Sequence, residues 1–142
     1  MSSRREQLLA RLVVALTGNT PAGSSVTRSR EVSITRAQTP AVVVQASGSS
    51  LTRMATQSDK NQFDVDIEIF VRGDPWDSLV DPIDVAAHQV VTTDSQIADI
   101  ATDVRRISEG FESLEADKTA GTLTVTYRFT FTTARGDITL PG

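Results

Sequence analysis

The chain has 142 residues, 23% of them charged and 39% hydrophobic, with a net charge of −4 and no cysteine. That length suits one domain, over residues 1–142, with a core of its own; the missing cysteine excludes disulfides, thiolate metal sites and cysteine nucleophiles together. No apolar run approaches the ~18 residues of a membrane span, and the opening residues are too polar for a signal peptide. The chain is therefore expected to act away from the membrane, in the compartment where it is made.

The opening "SSRREQLLARLVVALTGN" predicts an amphipathic helix, with Leu8, Leu9, Leu12, Val13 and Leu16 on one stripe. Ser3 and Glu6 have the spacing of a capping box, and Gly18 stands where a left-handed C-cap belongs. Residues 19–40 turn to Ser, Thr, Gly, Pro and Arg and read as a flexible loop followed by an extended arm. Within the arm, Arg28, Arg30 and Arg36 share the parity of Val32 and Ile34, which suits a half-exposed strand better than a core strand.

"PAVVVQA" predicts a short buried strand opened by Pro40, and residues 47–62 read as a loop in which Leu51 and Met54 anchor at most a ragged hairpin. Residues 63–72 follow as a strand, with Phe63, Val65, Ile67, Ile69 and Val71 on one face. Asp74-Pro75 and Asp81-Pro82 are two helix-start signals, and Ile83, Ala86, Ala87, Val90 and Val91 form a second apolar stripe. Ile97 and Ile100 close a last helical turn.

A long hairpin ends the pattern, its second strand alternating Leu123, Val125, Tyr127, Phe129 and Phe131 with Thr124, Thr126, Arg128, Thr130 and Thr132. Residues 134–142 read as a frayed C-terminal tail. The fold class is α+β: an antiparallel sheet with two main helices packed on its apolar face, plus the arm.

The stretch "FDVDIEIF" carries the one cluster that suggests chemistry. Asp64, Asp66 and Glu68 lie two apart, so on a strand they point the same way at intervals of ~6.6 to 6.8 Å. A hard cation needs oxygens converging within ~2.0 to 2.6 Å of one point, which three in-line strand residues do not supply alone. The favoured reading is the wet face of a strand, with the threonine row of the last strand beside it and Arg128 pairing across. His88, the only histidine, reads as a helix-surface or boundary residue without a nucleophile signature. The sequence lacks GxSxG, P-loop and GxGxxG patterns, and Arg135-Gly136-Asp137 is a chance-level tripeptide. No catalytic, cofactor or metal residues are assigned.

Charge is uneven along the chain. Residues 1–62 hold eight basic and three acidic side chains, whereas residues 63–142 hold six and fifteen. A pI near 4.9 argues against specific nucleic-acid binding, since basic binding domains sit above ~9. Arg28, Arg30, Arg36, Arg105 and Arg106 are better candidates for reaching carboxylates on another subunit.

The order of these pieces — amphipathic helix, Arg-bearing linker ending in "TPAVVVQASG", "FDVDIEIFVRGDP" and a closing "AGTLTVTYRFTF" — resembles the tail terminator family of long-tailed bacteriophages, such as that of phage lambda, over residues 4–133. The resemblance implies a homo-hexameric ring in the virion, at the head-proximal end of the tail, assembled in the host cytoplasm. Such a ring caps the finished tail tube, stops its polymerisation and presents a surface for head–tail joining. Its implied partners are copies of itself, the tail tube protein and connector or neck proteins, with DNA passing through the lumen without specific binding. Arg28, Arg30, Arg36, Arg105 and Arg106 are then candidate subunit or tube contacts, and Asp64, Asp66 and Glu68 a candidate lumen or exposed face. The alternatives are a neck or head-completion connector and, from another class, a carboxylate-dependent metal enzyme using the same three acids.

Overall fold

The computed structural model describes residues 2–28, 39–54, 57–113 and 119–142. Helix α1 (Arg4–Leu16) starts as its sequence predicts: the Ser3 hydroxyl accepts from the Glu6 N–H at 3.2 Å. The reciprocal half of the capping box is replaced, because the Glu6 carboxylate is taken by Arg28. Gly18 follows the helix with φ +78, as a left-handed cap requires.

The expected flexible loop is fixed in its first part. Thr20, Ala22 and Val26 are buried, and Gly18 N–H donates to the Gly23 carbonyl at 2.8 Å. The segment then enters β1 (Val26–Arg28), which runs parallel to β2 (Ala41–Arg53). The sheet is therefore mixed rather than wholly antiparallel; residues 29–40 between the two strands are long enough for a crossover, which a parallel pair needs. Val32, Ile34, Arg30 and Arg36 lie outside the described residues.

The loop expected over 47–62 is instead a long hairpin. β2 continues to Arg53 and pairs antiparallel with β3 (Ser58–Arg72), from Ala41 against Phe70 to Arg53 against Asp59. Small polar residues concealed this end: Ser49, Ser50 and Thr52 carry no alternation because both faces there are wet. Helix α2 (Trp76–Thr93) starts after Pro75, and Pro82 falls inside it rather than opening a second helix. Ser78 and Pro82 are both exposed, so the carbonyl that loses its partner lies on an accessible turn. A short α3 (Ser95–Ile100) buries Ile97.

β4 (Asp103–Ser113) and β5 (Ala120–Ala134) form the predicted closing hairpin. The expected frayed tail is a further strand, β6 (Asp137–Pro141), which folds back on β5 through a turn at Gly136 with φ +93. The hydroxyl and N–H of Thr139 both donate to the Asp137 carboxylate, so the RGD tripeptide is part of a hairpin turn. Sheet order is β1-β2-β3-β5-β4, with β6 on β5.

The core lies between one face of this sheet and the helices, as α+β patterning predicts. Leu8, Leu12 and Leu16 from α1 and Val80, Ile83, Ala87 and Val91 from α2 meet Val65, Ile67, Val125 and Phe129 from the sheet. Ala86 and Val90, expected in the stripe, are only half-buried. Trp76 closes one end against Gly121, where an added Cβ would stand 2.2 Å from the indole ring. On the opposite face, Phe70 is buried with Ala41 and Val43 as a small second cluster.

Candidate functional surface

The acidic ladder occupies the sheet face away from the helices, and the β3–β5 register explains its partners. Asp64 faces Arg128, Asp66 faces Thr126 and Glu68 faces Thr124. Arg128 forks onto Asp64 with bonds of 2.9 and 3.1 Å, the Thr126 hydroxyl donates to Asp66 at 2.7 Å, and Gln45 of β2 donates to Glu68 at 2.9 Å. Asp64 also holds the Arg128 guanidinium more firmly in its charged form. Each carboxylate thus has its own lateral partner, and the three do not converge. Among the described residues, no group of three or more His, Cys, Asp or Glu side chains is placed to hold a metal ion. The arrangement is a hydrogen-bonded polar surface.

The candidate arginines have different fates. Arg28 forks onto Glu6 at 2.5 and 2.9 Å and so ties β1 to α1. Arg106 grips Asp84 of α2 with bonds of 2.7 and 2.8 Å and also meets Glu109. Asp84 first, and Glu109 after it, raise the affinity of Arg106 for its proton, and only 24% of that side chain remains accessible. Its fork is committed within the subunit. Arg105 is different: it lies on the outer face, pairs with neighbouring Asp103 at 2.8 Å and is 74% exposed. Arg105 also stands directly opposite Arg128 across β4 and β5.

A polar cluster that the sequence pattern did not reveal surrounds the Tyr127 hydroxyl. Burial pushes the Tyr127 phenol above its usual range, with Arg106 acting in the other direction. His88 Nδ1 lies 3.0 Å from the hydroxyl and Arg106 Nη1 3.4 Å. His88 and Arg106 line a cleft of about 300 Å³ between α2 and β4, with Asp84, Val85, Gln89 and Thr92. Tyr127 was legible as core and His88 as a boundary residue; only the register of Arg106 against Tyr127 brings them together. The cluster joins helix layer to sheet through Arg106, which Asp84 and Glu109 both engage.

No family model matches this chain, and no curated protein sequence matches it. Among solved structures, a chain in the virion of a native gene transfer agent particle is similar over 90% of this chain and 90% of its own length. The identity is 9% and the TM-score 0.42. The functional reading therefore rests on the residue pattern and the surface geometry.

Proposed function

We propose that this chain is a non-enzymatic virion assembly protein, a ring-forming tail terminator that caps the completed tail tube and offers a surface for head–tail joining. The observation that carries this reading is the state of the acidic ladder. Asp64, Asp66 and Glu68 are bound laterally to Arg128, Thr126 and Gln45, as a wall would be, with no convergence on a reacting atom. The likeness of residues 4–133 to the terminator pattern supplies the class of assembly.

Physical argument supports the same role. A head-to-tail ring needs two different and complementary patches on each subunit. The basic first part of the chain and the acidic remainder provide opposite charges for them. An acidic sheet face turned to a lumen would repel the DNA backbone and let it pass without sticking. Termination further requires one ring face that fits the tube and another that rejects it.

The test is a length-control assay. Tail tube protein is polymerised with and without the purified chain, and the ends are viewed by electron microscopy. The proposal expects a ring-shaped cap on one end and arrest of growth. Unchanged growth with bare ends, together with capture of portal-side proteins in place of tube protein, would move the chain to the neck connector class. Calorimetric binding of Mg²⁺, Mn²⁺ or Ca²⁺ abolished by Asp66→Asn would instead favour the metal enzyme.

A further inference from the structure

The helix layer has two flanks of opposite charge. α1 packs over β1 and β2, and α2 over β3, β5 and β4, so the strand order sets the two helices toward opposite sides of the subunit. On α1, Arg28 takes the one carboxylate, that of Glu6, and Arg5 stands exposed in the same turn. On α2, Asp77 and Asp81 are exposed and Arg106 grips Asp84; the helix carries no lysine or arginine.

Each flank also displays apolar side chains. On the basic side, Arg4, Arg5, Leu51, Phe131 and Ile138 line a groove of about 210 Å³. Leu51 and Ile138 remain 65% and 53% exposed there. Arg53, two residues along β2 from Leu51, shares its face and adds a further cation. On the acidic side, Asp77, Asp81 and Val85 form an i, i+4 row along α2, and Val85 is 59% exposed. Phe111 of β4 stands opposite Leu123, which turns it to the helix side of the sheet. Its ring lies 6.3 Å from that of Trp76 at the start of α2, and 58% of the residue is accessible.

Exposed apolar groups rimmed by charge mark an interaction surface. The signs of the two rims choose the partner. A basic flank set against its own copy, or an acidic one against its own, would bring like charges together at a cost. The surface that matches each flank in sign and apolar character is the other flank of the same chain. Two different patches that match each other on opposite sides of a subunit are what head-to-tail closure requires.

Building on the ring reading, we propose that the groove lined by Arg4, Arg5, Leu51 and Ile138 receives the α2–β4 flank of a second copy of this chain. Arg5 and Arg53 meet Asp77 and Asp81 of the neighbour, and Val85 and Phe111 bury their exposed surface against Leu51 and Ile138.

The test is a charge swap in the full chain, read as native mass. One variant carries Asp77→Lys and Asp81→Lys, which makes its acidic flank basic. The other carries Arg5→Glu and Arg53→Glu, which reverses the basic flank. Each variant alone should remain folded and self-associate roughly tenfold or more weakly than the native chain. An equimolar mixture should recover the native mass, because the reversed flanks then face each other and the two variants alternate. Assembly of the native chain should also weaken as salt rises. Native self-association by both variants, or a mixture of folded variants that stays dissociated, would overturn the flank assignment and leave the ring reading standing. Loss of tube binding by the Arg5→Glu, Arg53→Glu variant with its self-association intact would also overturn it and give the groove to the tail tube protein. A native chain that stays monomeric alone and with tail tubes would overturn both.

Discussion

The two ends of the β2–β3 hairpin are built on one continuous ladder but follow different rules. At the proximal end, Ala41–Val44 are buried on both faces, between the helices and the small cluster with Phe70. At the distal end, Ala46–Arg53 are exposed on both faces and hold their place by backbone pairing to Asp59–Val65. Hydrophobic pattern therefore reports burial, and pairing can extend well beyond it. An end that is paired yet unburied contributes little to the subunit's own core.

Substitution at the two ends should separate these roles. Ile67→Ala, in the proximal core with 1% exposure, is expected to cost about 2–5 kcal/mol in denaturant unfolding. Leu51→Ala at the distal end is expected to stay within about 0.5 kcal/mol. Equal losses at both positions would erase the distinction. Next in size is Gly121→Ala, where the new methyl enters the Trp76 ring and forces a shift at the buried end. The expected cost is about 1–3 kcal/mol in the same assay, relieved in part by Trp76→Leu.

The helix layer that covers the buried end gives an acid-sensitive test. Arg11 donates to Asp94 at 2.7 and 2.9 Å and holds its carboxyl below the usual carboxylate range. Asp94 also accepts from the Ile97 N–H at 3.0 Å as the cap of α3. Because the folded value is the lower one, this stabilisation is complete above the ordinary carboxylate range. It is lost as pH falls through the lowered folded value. Asp94→Ala should cost about 0.5–2 kcal/mol at neutral pH through the lost cap. Its melting temperature should also fall less steeply with acid than that of the native chain. A small effect is expected on β5 beside the middle of the hairpin: Arg128→Ala breaks a partly exposed pair and should cost about 1 kcal/mol or less, decreasing with salt. A larger, salt-insensitive loss would mean that the ladder supports the fold rather than only its surface.

The sequence made much of this legible, for reasons that are themselves physical. The α1 stripe, the alternation of β3 and β5 and the pairing of Arg128 with the acidic row were readable because each faces either dry core or water consistently. The distal part of β2 was not, since serines and glycine wet on both faces leave no period. Nor was β6, whose five residues depend on a turn at Gly136 and a ladder to β5. Pro82 suggested a helix start because proline suits a first turn, and only tertiary packing of α2 overrode it. Arg106 was expected to reach another subunit or the tube but is engaged by Asp84, a contact between distant segments.

The most direct measurement is the native mass of the purified full chain across a concentration series, alone and with tail tube protein. A subunit whose ladder forms a wall among copies of itself should give a closed species at six times the 15.3 kDa chain mass, enriched or stabilised by tubes. A single 15.3 kDa species at every concentration, unchanged by tubes, would contradict the account.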